Sequence, residues 1–195
     1  MTDKATTTRT ATTKTPALLL LEAVDHAAHL SDTLKGLDAL LQLLHGIENA
    51  RGIHVQGPDL AHLLQPLRDK AMGHADALQQ LTDLDRYTQA QAAHHTDPSV
   101  THLLIDARDN TDHLRATLRG LDALLSLLHA PFNATMPDPL THALAHLLQP
   151  SYDQAVTHTE AIQSGLQLAH IRQATSQEAT TTTTTAHTAQ GPHHA

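Results

Sequence analysis

The chain has no cysteine and no tryptophan. The first absence excludes disulfide staples, thiolate-ligated zinc, iron–sulfur clusters and thiol catalysis. One phenylalanine and two tyrosines complete the aromatic complement, too few for a base-stacking platform or an aromatic cage around a cation. Positive charge is scarce as well: 12 Lys and Arg stand against 20 Asp and Glu, a formal net charge of −8. That balance argues against nucleic acid or an anionic membrane surface as partner. No stretch approaches the roughly 18 apolar residues of a membrane span. The run from Leu18 to Leu21 is too short for a secretory signal and flows into a polar-patterned helix. What the 195 residues do hold is 18 histidines, more than all lysines and arginines together.

Both ends are polar. The opening MTDKATTTRTATTKTP is half threonine and almost devoid of apolar side chains, so it buries too little surface to offset the entropy of ordering. From about Thr175 the chain turns polar again, through Thr180–Thr185 to a closing Gly-Pro-His-His-Ala. The expectation is a disordered tail over 1–15 and another over 174–195.

Between the tails lies an internal duplication at an offset of 84 residues. LKGLDALLQLLH (Leu34 to His45) recurs as LRGLDALLSLLH (Leu118 to His129), and AHLLQP (Ala61 to Pro66) recurs from Ala145 to Pro150. Laying 19–84 over 103–168 needs no gap and gives roughly 32 identities in 66 positions. Glu22/Asp106, Lys35/Arg119 and Asp76/Glu160 keep their charge as well.

Each copy reads as two helices. Leu20, Ala23, Ala27, Leu30, Leu34, Leu37, Leu41 and Leu44 step by alternating threes and fours, with Leu40 and Leu43 widening the stripe. In the second helix the seam runs Leu60, Leu64, Leu67, Ala71, His74, Leu78, Leu81. Thr15-Pro16, Pro58, Asp97-Pro98 and Asp138-Pro139 are start signals for four helices. Nothing shows the period-2 alternation that strands need. A lone helical hairpin exposes its stripe, whereas two bury theirs against each other. The sequence therefore predicts an all-α, antiparallel four-helix bundle made of hairpins at 16–95 and 96–173. A variant arrangement pairs each hairpin with a second chain. Pro66 and Pro150 fall inside the helical pattern and either kink the helix or begin it.

Histidine is the chemical resource to weigh. His74 and His158 occupy seam positions, and His29 and His113 fall within a turn of the same levels once each hairpin is folded about its loop. Asp25 and Asp109 lie four residues before the latter pair, on the same helical face. A second tier near the loops would hold His45, His62, His129 and His146, with Asp59 close by. Helix bundles build metal sites from facing side chains, and imidazole suits Zn, Fe, Cu or Ni. His29, His74, His113 and His158 are thus the candidate metal ligands. The Glu-x-x-His pairs of a di-iron bundle are missing, and histidine recurs between copies at about four of six positions, close to the average for all residues. Leucine recurs at about 13 of 17, so the duplication preserves packing more than histidine chemistry. No Gly-x-Ser-x-Gly elbow or glycine-rich phosphate cradle is present, and no catalytic residue or bound cofactor is expected.

The pattern Gly-Leu-Asp-Ala-Leu-Leu-x-Leu-Leu-His followed by Ala-His-Leu-Leu-Gln-Pro resembles short bacterial helical-hairpin proteins classed as domains of unknown function, in two copies over 19–84 and 103–168. That resemblance implies a helical hairpin, no activity and no site residues. The Thr-rich, acid-poor start resembles the export signals of injected bacterial effectors. The expected function is a non-enzymatic interaction or scaffold protein, cytoplasmic or exported by a non-classical route, acting through a protein partner or self-association. The competing class is a metal-binding or redox bundle.

Overall fold

A computed structural model of the chain describes residues 15–47, 57–83, 98–129 and 138–188. They form α1 (Pro16–Ile47), α2 (Gly57–Leu81), α3 (Pro98–His129) and α4 (Asp138–Thr188), with no strand among the described residues. The start signals act as expected. The Thr15 carbonyl accepts the Leu19 amide at 3.1 Å, which makes Pro16 the first helical residue, where a missing N–H leaves nothing unsatisfied. α3 opens on Pro98 and α4 on Asp138, one residue before Pro139.

The helices pack as a ring: α1 on α2, α2 on α3, α3 on α4, and α4 back on α1. Every neighbouring pair is antiparallel. Gly36 meets Leu67 while His29 meets His74, and Asp122 meets Arg68 while Asp112 meets Gln79. The chain is therefore an all-α, up-down-up-down four-helix bundle. The duplication becomes a pseudo-twofold axis: adding 84 to α1 gives α3, and subtracting 84 from α4 gives α2. The α1/α4 and α2/α3 faces are images of each other, a relation used below.

All eight residues of the α1 seam, from Leu20 to Leu44, are buried. Equivalent pairs fill the core from both copies, among them Leu30/Leu114, Leu64/Leu148 and Leu78/Ile162. Between Leu34, Leu67, Leu118 and Leu148 a void of about 20 Å³ remains, room for little more than one water. The interior here is a packed core.

Three expectations need correction, and one open alternative is decided. Leu43 does not widen the buried stripe; it is 56% exposed. In α2 the seam drifts, so that Leu67 and Leu81 are half-buried, as expected of His74, and Ala75 is buried instead. A strict 3.5-residue pattern slides by ~20° per heptad on a 3.6-residue helix, enough over three heptads to move those side chains to the edge. Pro66 and Pro150 lie inside continuous helices and begin neither; what each removes is one hydrogen bond to the carbonyl of His62 or His146. Finally, α4 runs to Thr188 through the Thr tract, where the sequence alone begins a tail at 174. Extending an existing helix fixes one residue per hydrogen bond and avoids the cost of nucleation. Residues 1–14 and 189–195 of the expected tails lie outside the described residues.

Candidate functional site

The four candidate histidines are held as two pairs, one in each hairpin. His29 of α1 stacks on His74 of α2 with ring centroids 5.5 Å apart, and His113 of α3 stacks on His158 of α4 at 5.3 Å. The ring contacts stay within each hairpin, and no group of three or more His, Asp or Glu among the described residues has metal-binding geometry. Each pair arises because His29 and His113 sit outside the α1 and α3 seams while His74 and His158 sit at the edge of theirs. Across an antiparallel interface the two edges meet.

A third residue completes each pair, and the sequence reading missed it. His26 Nδ1 lies 3.1 Å from His74 Nδ1. At the equivalent place in the second copy, Asn110 Oδ1 accepts a hydrogen bond from His158 Nδ1 at 3.0 Å. The available signal was that position 26 and position 110 are both polar and lie one turn before His29 and His113. The two arrangements differ in chemistry. An N···N hydrogen bond needs one ring with a proton on Nδ1 and one with a free lone pair, so His26 and His74 cannot both be imidazolium while it persists. The Asn110 amide oxygen accepts from His158 Nδ1–H whether or not Nε2 is protonated.

Electrostatics pushes the same way. Burial holds the His74 pKa below its ordinary value of 6.5, and the neighbouring His26, His29 and Lys70 add to the depression. His158 is lowered by burial and then by His113. The expected countervailing carboxylates do not engage. Asp25 and Asp109 form no ion pair with His29 or His113 among the described residues; Asp32 is held below the usual carboxylate range mainly by its bond to Lys35 at 2.8 Å, with His29 a lesser contributor. The expected second tier is also rearranged. His45 and His146 meet edge to face at 5.6 Å across α1 and α4, His62 is exposed, and the His129 side chain and the loops around Asp59's helix lie outside the described contacts.

The remaining polar feature distinguishes the two copies. On the α2/α3 face, Arg115 Nε donates to Asp76 at 2.8 Å and Arg68 reaches Asp122 at 3.1 Å. On the α1/α4 face the equivalents are Ser31 with Glu160, and Tyr152 with Asp38. Tyr152 faces Asp38, and burial, followed by the charge of that carboxylate, raises the phenol pKa.

No family model, curated protein or solved structure matches this chain. No described helix is long and apolar enough to cross a membrane.

Proposed function

We propose that the chain is a non-enzymatic helical interaction or scaffold protein that works through self-association or a protein partner. The observation that carries this reading is a matched pair of leucines. Leu63 is 53% exposed and Leu147 is 60% exposed, and they are the same position in the two copies. Neither serves the core, yet the duplication retains both. One stands on α2 and the other on α4, which face each other across the ring, so the pseudo-twofold offers two equivalent apolar contact points. A bundle with two like attachment points suits joining two similar partners or building symmetric assemblies. Single exposed leucines are ordinary on protein surfaces; the repetition is what supports a contact role. The reading also includes a cytoplasmic location, or export through the Thr-rich start.

Sedimentation and cross-linking across a concentration series test the proposal. Leu63→Glu with Leu147→Glu should abolish association seen with the wild type while leaving the unfolding free energy within about 0.5 kcal/mol, as for other surface changes. A wild type that stays monomeric throughout, and that carries stoichiometric metal when purified without an affinity tag, would overturn it in favour of the metal-binding reading.

A further inference from the structure

The pseudo-twofold provides an internal comparison. On the α2/α3 face, two acidic residues each receive an arginine: Asp76 from Arg115 and Asp122 from Arg68. Both arginine side chains are only 22% exposed, so their stems lie in the groove between the helices and their guanidinium groups reach its rim. On the α1/α4 face both acids are kept, as Glu160 and Asp38. Asp38 accepts from Gln42 Nε2 at 2.6 Å and has the Tyr152 phenol beside it. Glu160 has no such donor among the described residues. Ser31 stands where Arg115 stands in the other copy, and among the described residues no cation pairs with Glu160. Lys35, which lines the same groove, is engaged by Asp32 at 2.8 Å.

Where the arginine stem is missing, a groove opens. It has a volume of about 210 Å³ and is lined by Ser31, Leu34, Lys35, Tyr152, Val156, Thr159 and Glu160. Drug-sized pockets run to roughly 300–1,000 Å³, so this one is scaled to a single long side chain. Leu34 and Val156 give it an aliphatic strip against which an alkyl stem can lie, and polar side chains, the Glu160 carboxylate among them, make up the rest of its lining. The Thr159 hydroxyl is turned away, donating to the Ala155 carbonyl at 2.7 Å, and does not compete for Glu160.

We infer that the groove between α1 and α4 at Ser31, Tyr152 and Glu160 is a binding site for an alkyl guanidinium, taken up as Arg115 is taken up in the other half of the molecule. The guanidinium donates to the Glu160 carboxylate, and the stem lies against Leu34 and Val156. Guanidinium is favoured over ammonium because it is planar, more weakly hydrated and presents several donors in a fixed fork. The source is either an arginine side chain of another polypeptide or a free small guanidine, and both present the same group. The inference does not depend on the interaction role proposed above, since it concerns a different face and different residues.

Titration calorimetry and thermal melting of the full chain test it, with N-acetyl-arginine amide, agmatine and N-acetyl-lysine amide as probes. Either guanidine should bind saturably with a Kd on the order of millimolar, at least fivefold tighter than the lysine compound. The preferred guanidine identifies the source: N-acetyl-arginine amide for a polypeptide side chain, agmatine for a free small molecule. Glu160→Gln should abolish that preference. Ser31→Arg should abolish probe binding while raising the melting temperature by about 2–4 °C, because the groove then holds a tethered stem. Equal binding of the lysine compound, unchanged binding to Glu160→Gln, or a Ser31→Arg protein that melts lower than the wild type would each overturn the assignment.

Discussion

At the scale of single residues, the molecule's response to acid follows from three histidines in one hairpin and two in the other. His74 and His158 have folded pKa values below the unfolded value of about 6.5. As pH falls through 6.5 the unfolded chain takes up protons that the folded chain resists, so stability drops on acidification. The contribution is fully present above 6.5 and is lost as pH falls toward the depressed values. Chemical denaturation should accordingly give a lower unfolding free energy at pH 5 than at pH 7.5. The His26–His74 contact makes the first hairpin the more sensitive one, since acid removes the lone pair that its hydrogen bond requires. Replacing His26 with Asn reproduces the Asn110–His158 arrangement and should reduce the pH slope. Replacing both His74 and His158 with Leu should flatten it further. A His26→Asn protein with the wild-type slope would show that the Nδ1–Nδ1 contact does not govern the acid response. Burial, by contrast, is insensitive to pH. Leu30 is fully buried, and Leu30→Ala should cost about 2–5 kcal/mol in the same measurement at any pH where the fold persists.

At the scale of the helix, the duplication supplies its own controls. Gly36 and Gly120 are equivalent positions within α1 and α3, and a mid-helix glycine costs roughly 0.5–1 kcal/mol relative to alanine. A Cβ at Gly120 would meet nothing within 4 Å, whereas one at Gly36 would come within 3.3 Å of Leu67 Cδ2. The difference arises because Leu67 is matched by Ser151 in the second copy. Gly120→Ala should therefore stabilise by about 0.5–1 kcal/mol, and Gly36→Ala by less, because Leu67 must shift to admit the methyl group. Thermal melts of the two variants side by side check the order. Buried threonines offer a second comparison. Thr111 and Thr159 are buried and return their hydroxyls to the carbonyl four residues back, at 2.7 Å each. Their counterparts Ala27 and Ala75 are fully buried without a hydroxyl to satisfy. Thr159→Ala should change stability by less than about 1 kcal/mol, since alanine already packs at the matching place and is the better helix former.

For the molecule as a whole, the ring of helices makes each hairpin the cover for the other. α1 and α3 are 32 residues each, about 48 Å of helix, and their seam residues face inward. The first hairpin produced alone, residues 16–83, keeps the apolar stripe but loses the surface that buries it. It should associate, with a second hairpin taking the place of α3 and α4, and sedimentation should find it dimeric. A folded, monomeric hairpin would contradict the mutual burial on which the bundle rests. The symmetry is not carried through to the ends. α2 stops at Leu81, whereas α4 continues beyond the matching residue, Gly165, to Thr188.

Most of the architecture was legible before any coordinates. Hydrophobic periodicity is a local property, and the eight-residue seam of α1 could be read directly from the spacing of its leucines and alanines. The helix starts were equally plain, because a proline after Thr15 or Asp97 acts within one turn of its own position. The duplication then required two hairpins with matching stripes, which left few ways to bury them other than a four-helix bundle. Tertiary packing decided the rest. Whether His74 lies in the seam or at its edge depends on accumulated helical phase over several turns, and a one-turn pattern does not register a drift that small. Whether His29 answers to Asp25 or to His74 depends on which rotamers an adjoining helix leaves open, so an i, i+4 spacing could suggest the first partner but not exclude it. The groove beside Ser31 was the least legible feature. It exists because a long side chain is absent opposite a retained carboxylate on another helix, and that relation has physical meaning only once α1 and α4 are side by side.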